Sequence, residues 1–268
     1  MSPTLRPITA LWSREIKKFI HDRSRVIGAL AQPAGFWLLL GLGFQGTFQM
    51  PGADVGYMEF LYPGIIAMII LFTAIFSTIS IVEERKSGFL QAALVAPASR
   101  TALVFGNTLG GTTLALAETI LFLLLTPLIG LSLTLPGLLL ILLVSTLTGL
   151  AFTSLGFIIA WRMDSTRGFH AVMNLFLLPL WFLSGAPFPV QGASLPLQWI
   201  MALNPVSYAV SAIRQALYLP GPSPVPFASL GTSIAVTIAF ALALIVLAVY
   251  VVKQPLFRAK RVTSQPAA

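Results

Sequence analysis

The acid–base equipment of this chain is sparse: eight Asp and Glu, two His and no Cys in 268 residues. Glu118 is the only acidic residue deep inside a long apolar block. A carboxyl group there is costly unless it is protonated, paired or facing water. It reads either as a proton or substrate contact, or as a neutral acid hydrogen-bonded to a neighbouring helix. A proton relay needs a chain of partners, which favours the second reading. His21 and His170 stand near block ends with no second ligand at helical spacing, so no metal site is expected. An intramembrane serine hydrolase needs a base beside its serine, and neither histidine sits at that depth. A secondary transporter usually carries several intramembrane charges. The lack of cysteine removes disulfides and thiolate metal sites. GNTLGGTT, Gly106 to Thr113, mimics the frame of a phosphate-binding loop. Thr112 stands where the lysine must be, and no strand precedes it, so no nucleotide site is expected.

These few groups must be positioned by apolar elements. Of all residues 57% are hydrophobic and 9% charged, against about 25% charged in a soluble domain. There is too little polar surface to cover a water-shielded core. The apolar residues form six blocks, 27–48, 60–82, 103–130, 136–161, 169–185 and 229–252. Each is judged against the roughly 20 residues a helix needs to cross a bilayer. The segments of about 10 alternating residues that mark a β-barrel are absent. The spacing predicts an all-α polytopic membrane protein with six transmembrane helices.

The net charge is +8. In the six-span arrangement every basic residue except Arg214 falls on one side, on the segment before the first block, the loops after the second and fourth, and the tail. The positive-inside rule places both termini in the cytoplasm. Anionic headgroups account for the excess charge, and no nucleic-acid partner is expected. The six basic residues ahead of the first block also do not make a cleaved signal.

Residues 5–24 read as an amphipathic helix lying in the membrane interface. Leu5, Ile8, Trp12, Ile16 and Phe19 recur at spacings of three and four, with Arg14, Lys17 and Lys18 mostly off that line. GNTLG, Gly106 to Gly110, has the small-xxx-small spacing of a close helix contact. The fifth block is short and is broken by FLSGAPFPV, Phe182 to Val190. An amphipathic stretch, Leu195 to Leu217, follows. Irregular backbone at membrane depth is tolerated only where protein or water covers it, so this region reads as a broken, re-entrant excursion on the outer side.

The second block ends on Glu83, Glu84, Arg85 and Lys86, followed by Gly88 and a short segment with Phe89, Leu90 and Leu94, closed by Pro97. Apolar anchors behind a charge cluster make a docking surface, with anchors entering a groove and charges setting register. Paired glutamates argue against a loop resting on anionic lipid.

This stretch, E-E-R-x-x-G-x-L-x-x-x-L-V-x-P-x-x-R from Glu83 to Arg100, resembles the cytoplasmic loop motif of ABC-2-type exporter permeases. FLSGAPFPV and NPVSYAVSAIRQAL, Asn204 to Leu217, resemble further elements of that family. The closest resemblance is to nodulation-factor and daunorubicin-type export permeases, with Lys86-Ser87 departing from the acidic or polar pair of many members. The resemblance spans essentially the whole chain. It implies a single transmembrane domain, 1–268, with a cytoplasmic interfacial helix at 1–25, a coupling loop at 83–101, an outer region at 185–228 and a cytoplasmic tail at 253–268.

The resemblance implies a non-enzymatic subunit in a bacterial inner membrane, exporting a drug, lipid-linked or glycan-type substrate. Two such subunits would pair, and two separate ATPase subunits would bind ATP and Mg, so this chain holds no cofactor. Glu83, Glu84, Arg85, Gly88, Phe89, Leu90, Leu94, Pro97 and Arg100 would couple to the ATPase, with Trp12, Arg14, Lys17 and Phe19 on the interfacial helix. Ser184, Gly185, Pro187, Pro189, Asn204, Pro205, Tyr208 and Arg214 would form the outer re-entrant gate, Arg214 pairing with Asp54 or Glu59. Two other classes are a polytopic membrane enzyme and a membrane scaffold that recruits a partner without moving anything.

Overall fold

The computed structural model describes residues 5–21, 23–46, 55–88, 90, 99–223 and 226–254, with the backbone alone at 5, 23–26 and 29. Every regular element among the described residues is helical. The helices are α1 (Leu5–His21), α2 (Arg23–Phe44), α3 (Tyr57–Ser77), α4 (Ile79–Lys86), α5 (Arg100–Leu123), α6 (Leu135–Ala160), α7 (Thr166–Phe182), α8 (Leu195–Leu203), α9 (Pro205–Leu217) and α10 (Leu230–Lys253).

Local chemistry sets several helix starts. Ser99, Thr134, Ser165 and Ser229 are N-caps whose hydroxyls accept from the backbone N–H of Ala102, Gly137, Gly168 and Thr232. Each answers one of the open donors of a first turn. At the other end of α4, Gly88 adopts φ +78°, a conformation that favours glycine.

Among the described residues three segments are long and apolar enough to cross a membrane: Tyr57–Lys86, Leu135–Ala160 and Leu230–Lys253. The other three blocks of the six-span expectation fall short for visible reasons. Among the described residues of α2, Leu30–Phe44 forms a shorter apolar helix, and α7 has 17 residues. The length of α5 suffices, but Asn107, Thr108, Thr112, Thr113 and Glu118 dilute it.

The first crossing segment is a rod of 30 residues made of α3 and α4. They meet at Thr78, whose hydroxyl donates to Ile75 O. At about 1.5 Å per residue the rod is ~45 Å long. Along α3, Leu61, Tyr62 and every residue from Ile65 to Leu71 have no exposed surface. A helix that is apolar all round is a buried one, and α2, α5, α6, α7 and α9 surround α3.

In a membrane these helices are not driven together by water, so close approach matters more. A Cβ added to Gly111 would meet Ser77 and Thr153, one on Gly149 would meet Thr112, and one on Gly156 would meet Thr78. These glycines let α3, α5 and α6 touch along one seam.

Gly106 and Gly110 serve a different contact. A Cβ on Gly106 would lie 2.5 Å from Leu11 Cβ, and one on Gly110 2.8 Å from Glu15 Cβ. The partner of the GNTLG spacing is therefore α1. Phe19 is buried, and Trp12 is partly exposed with Nε1 donating to Thr113 Oγ1 at 3.0 Å. The apolar face read as a lipid-facing stripe is in large part a seat on α5.

Replacing Gly106 with leucine should cost about 1–3 kcal/mol by overpacking and loosen α1. Thermal unfolding in detergent and tryptic cleavage at Arg14, Lys17 and Lys18 measure both effects. Gly43→Ala, with nothing within 4 Å of its Cβ position, should change neither.

Candidate functional site

Two polar clusters sit at opposite ends of the α3–α4 rod. The first gathers where α4 ends. Lys18 Nζ donates to Glu83 Oε2 at 2.6 Å. Arg14 donates to Glu15 Oε1 at 2.9 Å and also to Glu84 Oε1. Burial works against the charge of Arg14, but its hydrogen bond to Glu15 and the charges of Glu84 and Glu15 outweigh that and raise its pKa.

Arg85 turns the other way. Its guanidinium donates to Asp164 Oδ1 at 2.8 Å, to Met163 O at 3.1 Å and to Trp161 O. The last two carbonyls lie just past the C-terminus of α6, where open acceptors and the helix dipole favour a cation. Arg100 does the same for α10, pointing at the carbonyls of Val252 and Lys253, 3.4 Å from each. The charge cluster thus fastens α4 to α1 on one side and to the α6–α7 turn on the other.

This changes the reading of the charges. Glu83, Glu84 and Arg85 were expected to set register with a partner, and all three have partners within the chain. Leu90, expected as a partner anchor, is 3% exposed and belongs to the core. Phe89, Leu94 and Pro97 lie outside the described residues. Lys17 is exposed, and its carbonyl sits 2.7 Å from His21 Nδ1.

The second cluster closes the far end. After α7 the chain turns at Gly185, φ +75°. Ser184 Oγ donates back to Trp181 O at 2.6 Å, and Pro189 precedes a 3-10 turn, Val190–Gly192. Asn204 separates α8 from α9 and holds three groups: its Nδ2 donates to Leu180 O at 2.6 Å and Leu183 O at 2.9 Å, while Oδ1 accepts from Val206 N. Pro205 then opens α9, a position where its missing N–H costs nothing. Tyr208 donates to Ala202 O at 2.9 Å and its ring meets Phe227.

Side-chain hydrogen bonds tie this cluster to the start of α3. Tyr57 donates to Pro187 O at 2.9 Å, Trp181 Nε1 donates to Gly64 O at 2.7 Å, and Arg214 Nη2 donates to Gly185 O at 3.2 Å and Phe60 O at 3.4 Å. The Arg214 guanidinium also lies 4.4 Å from the Phe60 ring centroid, a cation–π distance. The expected pairing of Arg214 with Glu59 is not made: Glu59 accepts from Tyr218 at 2.6 Å. Two carbonyls and a ring face receive the arginine instead, and its Nε has no partner. Asp54 lies outside the described residues.

Between the clusters, Glu118 is 2% exposed. Thr73 of α3 donates to its Oε2, and Oε1 has no partner. The loop-like GNTLGGTT lies inside α5, in a helix rather than between a strand and a helix. No group of three or more His, Cys, Asp or Glu that could hold a metal occurs among the described residues. His170 lies against the Phe76 ring.

Sequence reasoning missed Tyr57, Trp181, Tyr218, Asp164 and the Trp161 carbonyl. Their partners are far away in sequence, so no local spacing announces them.

The two ion pairs between α1 and α4 differ in exposure. The Arg14 and Glu84 side chains are 30% and 11% exposed, those of Lys18 and Glu83 37% and 39%. An exposed pair contributes about 0–1 kcal/mol, whereas stripping the partner from a largely buried charge costs more. Arg14→Ala should therefore lower thermal stability clearly more than Lys18→Ala, and the swap Arg14→Glu with Glu84→Arg should recover part of the loss.

Residues 6–218 match the ABC-2 type transporter family. That span contains the three stretches, Glu83–Arg100, Phe182–Val190 and Asn204–Leu217, on which the resemblance rests. The chain is 26% identical over 192 residues to the protein named "Putative transport permease ycf38" of Cyanophora paradoxa, covering 70% of this chain and 66% of that protein, just under two thirds. It is 26% identical over 214 residues to the protein of the same name in Porphyra purpurea, covering 78% of this chain and 73% of that one. With apolar helices long enough to cross a bilayer and a match over most of its length, the chain belongs to the ABC-2 type transporter family.

Proposed function

We propose that this chain is the membrane permease subunit of an ATP-binding-cassette exporter, driven by a separate ATPase. The observation that carries this reading is the α3–α4 rod. Its middle is sealed in the core, one end is fastened to α1 and the α6–α7 turn, and the other to Pro187, Trp181, Arg214 and Tyr218. A displacement of the charged end has no soft element in which to dissipate. Packed elements that switch between discrete arrangements carry a local event across a protein.

In this reading α2, the rod, α5, α6, α7 and α10 each pass the membrane, six crossings in all. The two short members rely on the bundle for cover. The basic end faces the cytoplasm of a bacterial inner membrane. The ATPase, which binds ATP and Mg, docks on the segment after Gly88 through Phe89, Leu94 and Pro97. The charges before it brace α4 against α1 rather than reaching into the partner. A second copy of the chain completes the pathway, and the α7–α9 region gates its outer mouth. The cargo is a drug, lipid-linked or glycan-type molecule.

Co-purification tests the reading. The tagged chain, co-expressed with its ATP-binding-cassette ATPase, should bring down an ATPase that hydrolyses ATP. Phe89→Asp should cut recovery at least about tenfold, since a buried anchor of this kind carries 2 kcal/mol or roughly more. A folded wild-type chain that recovers no ATPase contradicts the exporter reading. Recovery without hydrolysis points to a scaffold.

A further inference from the structure

Between α1, α2 and α5 the surface opens into a groove of about 390 Å³. That volume lies within the roughly 300–1,000 Å³ of small-molecule sites. Its walls are apolar, with Phe19, Ile20, Ile27, Leu114 and Leu121 among them. Among the described lining residues two are polar, Thr113 and Glu118. Thr113 has its donor spent: it donates to Leu109 O at 2.8 Å and accepts from Trp12 Nε1. In Glu118, Oε2 is held by Thr73, while Oε1 is buried and unanswered. Among its described lining residues the groove therefore offers apolar walls and, just beneath them, one carboxyl oxygen without a partner, from a side chain 2% exposed.

A hydrocarbon chain alone would fill the walls and leave Oε1 without a donor. An unpaired buried acceptor costs about 1–3 kcal/mol, and more when charged. An alcohol would donate but cannot form an ion pair with the acid. An ammonium group does both, and pairing is how ionisable groups are tolerated away from water. A phospholipid bearing an amine would carry its phosphate into the same apolar groove, where no described lining side chain is cationic.

We propose that the groove between α1, α2 and α5 binds a membrane-soluble primary amine, its apolar body against Phe19, Ile20 and Leu121 and its nitrogen donating to Oε1 of Glu118. Ala117, exposed on the groove wall, limits the size of the occupant. The site is complete within one chain and requires no ATPase, so its test stands apart from that of the exporter reading.

Equilibrium binding of tritiated dodecylamine to the purified full chain in phosphatidylcholine nanodiscs, with empty discs subtracted, measures this directly. Saturable binding near one amine per chain is expected. Glu118→Gln, which keeps the side-chain volume, should weaken it at least about tenfold, and Ala117→Trp should abolish it by filling the groove. Dodecanol should compete at least about tenfold less well than unlabelled dodecylamine. Non-saturable uptake, unchanged binding in Glu118→Gln, or equal competition by dodecanol overturns the proposal. Equal competition by discs containing phosphatidylethanolamine overturns it too, by assigning the groove to lipid.

Discussion

A helix with no exposed face can exist only if other elements cover it on every side. That constraint organises this protein. From Ile65 to Leu71 α3 shows nothing to its surroundings, so five other helices are arranged by the need to enclose it. Lipid offers no gain for burying leucine against leucine, and close contact has to supply the attraction. Hence glycine appears where backbones must approach. Gly64 illustrates the point: a Cβ there would stand 2.6 Å from Ala186 Cβ, and its carbonyl takes the Trp181 indole N–H.

Because the middle of the rod is largely apolar, its charged groups are confined to the ends. There the side chains are spent inward. Arg85 and Arg100 close the C-termini of two helices, Glu83 and Glu84 hold α1, and Arg214 collects two carbonyls and a ring. The charge cluster is a brace, and whatever docks on this end meets a surface already rigidified by it. Glu118 is the exception, a mid-bundle carboxylate with half of its hydrogen-bonding capacity used.

Much of this was legible in the residues. Block length and the scarcity of charge identified an all-helical membrane protein. The proline and glycine of FLSGAPFPV marked the break after α7, and Asn204-Pro205 marked the start of α9. The GNTLG spacing correctly announced a close helix contact. What stayed hidden was every choice of partner across long sequence separation. An Asn or Ser N-cap acts within three residues and shows in the sequence, whereas Glu84 and Arg14 meet only because α1 folds onto α5. Arg214 was matched to the nearest acids by charge alone. The fold gave Glu59 to Tyr218, since a tyrosine hydroxyl stands within 2.6 Å of it. Leu90 looked like an exposed anchor because an amphipathic pattern does not say which neighbour covers the apolar face.

The central claim is that the α3–α4 rod carries a displacement from the charged end to the α7–α9 region. Hydrogen–deuterium exchange across residues 182–217, in the chain bound to its ATPase with and without ATP, tests it most directly, because exchange reports local opening. The account predicts that ATP alters exchange there in the wild type. It also predicts that Arg85→Ala, which unfastens α4 from the α6–α7 turn, leaves the ATPase bound and active while the far-end response disappears. An undiminished response in Arg85→Ala would show that the signal travels by another route and would contradict the account.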